Sequence, residues 1–187
     1  MEALLASIGL VALAEIGDKT QLLSLALAAK YRRPAAIIAG IAVATLLNHA
    51  LAGALGASLT HFVGPQLLQG AVGVSFLAMA AWMLVPDKLE LTEQRARFGV
   101  FATTALAFFL VEMGDKTQVA TVALAAKYAE VHAVVAGTTL GMVVSNAPVV
   151  LFGERLLRRV PLRAVHVASS ALFALLGLVS LFPLILG

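Results

Sequence analysis

The sequence predicts an all-α integral membrane protein with six transmembrane helices built as two inverted three-helix repeats. Three observations carry that expectation: an apolar composition, six apolar runs of spanning length, and an acidic motif that occurs twice within those runs. Of 187 residues, 61% are hydrophobic and 12% charged, and the mean hydropathy is +0.98. Soluble domains are about a quarter charged, so a soluble fold would leave much of this apolar surface in water. A spanning helix takes about 20 residues, which gives room for six crossings with short connections and little extramembrane structure.

The first apolar run extends from Ala3 to Ala29. It has no positively charged leader and no small-residue cleavage pattern, so it reads as a retained span rather than a signal peptide. The second, Pro34 to Leu59, opens after Tyr31-Arg32-Arg33, and the third, Pro65 to Val85, opens after Val63-Gly64. Pro86-Asp87-Lys88 ends the third. Phe98 to Ala126 forms the fourth, closed by the polar stretch Lys127 to Glu130; Val131 to Phe152 forms the fifth. The sixth, Leu162 to Leu186, follows Arg158-Arg159-Val160-Pro161. Each break holds the charged, proline or glycine residues that punctuate helices.

Glu15-Ile16-Gly17-Asp18-Lys19-Thr20-Gln21 recurs as Glu112-Met113-Gly114-Asp115-Lys116-Thr117-Gln118, at an offset of 97. Between Glu15–Tyr31 and Glu112–Tyr128, 12 of 17 positions are identical, and Gly40 falls on Gly137 at the same offset. The chain therefore divides into a first unit at 1–86, a connector at 87–97 and a second unit at 98–187. Three spans per unit is an odd number, so the second unit enters the membrane from the opposite side. Lysine and arginine counts agree. The connections after spans one, three and five hold Lys30, Arg32, Arg33, Lys88, Arg95, Arg97, Arg155, Arg158, Arg159 and Arg163, whereas those after spans two and four hold only Lys127. The positive-inside rule then makes the first set cytoplasmic and places both termini outside. Basic residues distributed in this way are topology signals rather than a nucleic-acid surface, despite a net charge of +3. The absence of cysteine excludes disulfides, thiolate metal sites and cysteine nucleophiles.

Glu15 and Glu112 each lie about a dozen residues from the ends of their runs, or about 18 Å along a helix, near mid-membrane. An acid or lysine there costs at least about 2.5–3.5 kcal/mol on insertion scales, so two such motifs need a compensating use. On a continuous helix Glu15, Asp18 and Gln21 share one face, as do Glu112, Asp115 and Gln118. If those faces meet, four carboxylates and two amides form the oxygen-rich setting of a hard divalent cation. Lys19 and Lys116 temper the repulsion, leaving a formal charge of −2 that matches one such ion. A site that holds either metal or protons, but not both, is the physical basis of metal/proton exchange. Locking the two halves by ion pairs alone is the structural alternative, and buried ion pairs stabilise weakly.

Gly17 and Gly114 serve either close helix approach or a local break that exposes carbonyl oxygens; close packing is the expectation. Thr20 and Thr117 are auxiliary candidates, with back-bonding to a carbonyl one turn earlier as their ordinary role. Asn48 and His49 in span two correspond to Ser145 and Asn146 in span five at the same offset. Asn48, Ser145 and Asn146 are candidates for the ion path, while His49, which has no histidine counterpart, is the weaker one; interhelical hydrogen bonding is the alternative for all of them. Gly137-x-x-x-Gly141 is a candidate homodimer seam or an internal packing face.

Two inverted three-helix units, each with E-φ-G-D-[KR]-[TS] in its first helix, give this chain a resemblance to a known family. EIGDKT and EMGDKT both match that motif in full. The chain resembles the membrane cation exchangers that include the Golgi manganese/calcium transporters and bacterial manganese exporters, within the calcium:cation antiporter-2 superfamily. The resemblance covers essentially the whole chain. It implies that Glu15, Asp18, Glu112 and Asp115 form the transport site, that Mn²⁺ or Ca²⁺ is carried as substrate with no permanent cofactor, that protons are the counter-ion, and that efflux from the cytosol is the direction. Eukaryotic relatives carry a presequence and a longer central loop, so this pattern suggests a bacterial inner membrane with both termini periplasmic. An enzyme is not expected. The rival readings are an intramembrane aspartyl protease, which uses a Gly-x-Gly-Asp setting that Glu15 and Glu112 do not match; an amino-acid exporter, which needs room for a zwitterion; and a passive channel, which lacks proton coupling.

Overall fold

The computed structural model describes residues 1–85, 99–153 and 161–186. Among the described residues the chain is all-helical: α1 Glu2–Glu15, α2 Lys19–Tyr31, α3 Pro34–Phe62, α4 Pro65–Trp82, α5 Gly99–Glu112, α6 Lys116–Tyr128, α7 Val131–Phe152 and α8 Leu162–Leu186. The connector 87–97 lies outside them, as do Arg155, Arg158 and Arg159. Among the described residues three helices are long and apolar enough to cross a membrane: α3, α7 and, over Leu162–Leu184, α8. Pro34 and Pro65 each stand in the first turn of their helix, where the missing N–H is no loss.

One expectation is corrected. The first and fourth apolar runs do not form continuous helices; each breaks at its motif, between α1 and α2 and between α5 and α6. Gly17 and Gly114 adopt φ of +84° and +79°, a left-handed conformation that glycine reaches without a Cβ penalty. Asp18 and Asp115 then take extended backbone as N-cap residues of α2 and α6. The glycines therefore serve a break rather than close approach alone. The motif glutamines stabilise it: the Gly17 N–H donates to Gln21 Oε1 at 2.9 Å and the Gly114 N–H to Gln118 Oε1 at 2.6 Å. Both second half-helices also end alike, in left-handed Arg32 and Ala129, whose N–H groups donate to the carbonyls of Ala28 and Ala125.

Packing runs mainly between first-half and second-half helices. α1 lies on α7, α3 on α5, α6 and α7, and α4 on α8. Glycines permit the closest of these approaches. A Cβ on Gly40 would stand 2.8 Å from the Phe101 carbonyl and from Thr104 Cβ, and one on Gly137 would stand 2.6 Å from the Leu4 carbonyl and 2.7 Å from Ser7 Cβ. Leu4 and Ser7 are the offset-97 counterparts of Phe101 and Thr104, so the two contacts are equivalent. Gly141 meets the backbone of Ile8 and Ala12, which puts the Gly137-x-x-x-Gly141 face inside the chain, against α1. One apolar core joins Phe76, Met79 and Phe173 to Leu10 and Leu124, and a second joins Ile37, Ile41, Val11, Phe108 and Met142. Large apolar side chains outside the cores, such as Leu47, Leu51 and Leu55 on α3 and Leu175, Leu178 and Phe182 on α8, are exposed.

Candidate metal centre

The two breaks bring the motifs together. Glu15, Glu112 and Asp115 each present a carboxylate oxygen to one another within 4.8 Å, and all three side chains are buried. Three atoms so spaced share a centre within about 2.8 Å of each, close to the bond lengths of about 2.0–2.6 Å found around Mg²⁺ and Ca²⁺. Glu15 Oε1, Glu112 Oε1 and Asp115 Oδ2 have no hydrogen-bond partner among the described residues. α2 and α6 begin at this place, so their N-terminal ends offset part of the negative charge. Three ionised carboxylates at this distance repel unless a cation, protons or both stand among them.

The remaining members of the motifs hold the site together. Lys19 Nζ lies 3.0 Å from Asp115 Oδ1 and Lys116 Nζ lies 3.3 Å from Asp18 Oδ1, a reciprocal exchange of ion pairs between the two motif copies. Asp18 is buried but is not one of the three converging carboxylates. Thr20 donates to Glu15 Oε2, and Thr117 donates to Glu112 Oε2 at 3.3 Å, so each threonine orients the glutamate of its own motif across the break. Gln21 Nε2 donates to the Ser145 carbonyl at 2.8 Å, and Gln118 Nε2 donates to Asn48 Oδ1. Each glutamine thus spans from its own glycine N–H to the long helix of the other half. Asn48 Nδ2 donates to the Phe109 carbonyl at 3.3 Å, and Asn146 Oδ1 accepts from Ser24 Oγ at 2.7 Å. Both asparagines are buried in interhelical bonds. His49, the weaker candidate in the sequence, is fully buried with Nε2 3.6 Å from Glu112 Oε2. Ser24 is not among the sequence candidates, whereas Ser145 is, as the offset counterpart of Asn48.

The surroundings are not symmetric. A Cβ on Gly17 would meet Leu162 Cδ2 at 2.8 Å and His166 Nε2 at 3.0 Å, whereas one on Gly114 would meet nothing within 4 Å. Met113, beside Gly114, is 56% exposed. α8 packs on α1 and α4 packs on α6, with no comparable packing of either on α2 or α5 among the described residues.

The sequence of the chain matches the family profile described as divalent cation/proton antiporter GDT1 over residues 3–91 and 100–185. A Vibrio cholerae serotype O1 protein provisionally named a manganese exporter is 49% identical over 183 residues, which cover 97% of this chain and 92% of that one. A Synechocystis GDT1-like protein is 26% identical, covering 96% and 97%, and the Saccharomyces cerevisiae divalent cation/proton antiporter GDT1 is 21% identical, covering 97% and 84%. No solved structure matches. With both halves inside the profile and a relative at that identity along nearly its full length, the chain belongs to the GDT1 family of divalent cation/proton antiporters.

Proposed function

We propose that this chain is a secondary transporter that exports Mn²⁺, and Ca²⁺ as a second substrate, from the cytosol in exchange for protons. The observation that carries the reading is the convergence of Glu15, Glu112 and Asp115, drawn from both motif copies, at two helix breaks inside apolar runs. Broken helices whose ends meet at a repeat interface supply ion sites in transporters. The manganese export named for the Vibrio protein and the antiport named for the yeast protein support the choice of ion and of coupling. Glu15, Glu112 and Asp115 are assigned as direct ligands, with Asp18, Gln21 and Gln118 completing the site as the ion moves.

In this reading the chain crosses a bilayer six times. α1–α2 and α5–α6 are each one interrupted crossing, and the units 1–86 and 98–187 are inverted copies joined by 87–97. The equivalent contacts of Gly40 and Gly137, and the exchange of ion pairs between motifs, suit such an arrangement. Exposed leucines on α3 and α8 would face lipid. The loop charges argue for both termini on the outer side, and the likeness to the Vibrio protein supports a bacterial inner membrane. α1 and α6 then form outer half-spans and α2 and α5 cytoplasmic ones. The α4–α8 pair leans on the outer pair, so the conformation is closed outward, and rocking of that pair against the rest gives alternating access.

The test is proton movement in proteoliposomes driven by gradients of Mn²⁺, Ca²⁺, Mg²⁺ or Na⁺. Mn²⁺ is expected to drive proton counterflow, with a weaker response to Ca²⁺. Metal flux without proton movement would point to a channel and overturn the exchange reading.

A further inference from the structure

The offset of 97 pairs His49 on α3 with Asn146 on α7, and the structure treats the two differently. Asn146 spends its polar groups inside the fold: its Oδ1 accepts from Ser24 Oγ, and its Nδ2 donates to the Met142 carbonyl at 3.1 Å. His49 is fully buried, and neither ring nitrogen has a hydrogen-bond partner among the described residues. A buried polar nitrogen left in that condition is costly, and a membrane interior offers no water to relieve it. His49 is not among the three groups whose ligand atoms lie within 4.8 Å of one another, but its Nε2 lies 3.6 Å from Oε2 of Glu112, one glutamate of the cluster. That distance is too long for a hydrogen bond. It does fit two neighbouring ligands of one cation, which lie about 3.0–3.7 Å apart when the bonds are about 2.1–2.6 Å long.

We propose that His49 supplies an imidazole nitrogen to the transported cation beside Glu15, Glu112 and Asp115, and that this nitrogen selects a first-row transition-metal dication over Ca²⁺ and Mg²⁺. The inference rests on the carboxylate cluster being the cation site. Its chemistry is that of donor type. Ca²⁺ and Mg²⁺ take oxygen ligands, whereas imidazole is a good ligand for first-row divalent metals, so one nitrogen among three carboxylates penalises the alkaline-earth ions. Only one half contributes such a donor, so the site is chemically asymmetric although its carboxylate scaffold is repeated.

Pulsed electron paramagnetic resonance on the purified full-length protein in detergent, loaded with less than one equivalent of Mn²⁺, reads nitrogen bonded to the metal directly. A ¹⁴N modulation from one imidazole is expected, replaced by a ¹⁵N pattern when the histidines are isotopically labelled. This measurement needs no variant. Of the other three histidines, His61 and His132 are exposed and His166 is half-buried, so labelling with His166→Asn as a control isolates His49. His49→Asn, which repeats the residue of the second unit, should lose the modulation while still binding Mn²⁺. In proteoliposomes its preference for Mn²⁺ over Ca²⁺ should fall by about tenfold or more. Bound Mn²⁺ without histidine modulation in the wild type, or modulation retained in His49→Asn, overturns the inference and leaves the carboxylate site standing. If the wild type binds no Mn²⁺, the site itself is refuted and the inference with it.

Discussion

Replacing Asp115 with asparagine keeps the shape of the side chain and removes one negative charge from a position that is 1% exposed. Asp115 belongs to the set of carboxylates within 4.8 Å of one another and is also the partner of Lys19 at 3.0 Å. Two unit charges about 4 Å apart at an effective dielectric of about 20 interact by about 4 kcal/mol. A bonded divalent ion is closer and doubly charged, but both partners lose hydration on binding, so about 4 kcal/mol is a sensible working value for the lost attraction. At about 1.4 kcal/mol per decade, Mn²⁺ affinity should fall about 10³-fold. Titration calorimetry in detergent reads the affinity, and proteoliposome flux at a concentration that saturates the wild type should show no Mn²⁺-driven transport. The double variant Asp115→Asn/Lys19→Met separates two causes. It restores the formal charge of the motif pair without restoring a ligand, so it should remain as weak as the single variant. An affinity for Asp115→Asn within tenfold of wild type would refute direct ligation. Recovery in the double variant would reduce Asp115 to a charge-balancing role.

Two other expectations follow from the packing and from the proposed topology. Gly40→Ala and Gly137→Ala force a methyl to within 2.8 Å and 2.6 Å of backbone carbonyls on neighbouring helices; each should destabilise the fold by about 1–3 kcal/mol in mixed-micelle denaturation, whereas Gly9→Ala, with nothing within 4 Å, should be neutral or slightly stabilising. Because the chain has no cysteine, single replacements give a clean background for labelling. Arg33→Cys and Glu130→Cys, both at exposed positions, should react with a membrane-impermeant thiol reagent from opposite faces, Arg33→Cys from the cytoplasmic one; labelling from the same face would refute the inverted arrangement.

Much of the site was legible before any coordinates because membrane interiors penalise charge. Glu15, Asp18, Glu112 and Asp115 stood out as acids in apolar runs, and the duplication tied them into pairs. Helical periodicity failed at the same residues, because it assumes an unbroken backbone. A glycine within a motif permits a turn without demanding one, so the sequence left break and close packing both open. The glutamine four residues after each glycine is the local signal of the break, since its side-chain oxygen takes the N–H that the break releases. His49 has no histidine counterpart in the second unit, and under the proposed ligation that asymmetric residue beside a repeated carboxylate scaffold is where chemical selectivity enters.

By itself the sequence determined the helical, apolar character of the chain, its duplication and the acids that had to be shielded together, since these follow from transfer energies and from identity between two segments. Tertiary structure alone decided which oxygens meet. Glu15, Glu112 and Asp115 converge while Asp18 turns to Lys116, a division that formally equivalent motif residues could not announce. The reason is geometric. Two broken helices crossing at a shared point place side chains by the directions of four half-helix ends, and those directions are set by contacts such as Gly40 on Phe101 and Gly137 on Leu4, far along the chain from the motifs they position.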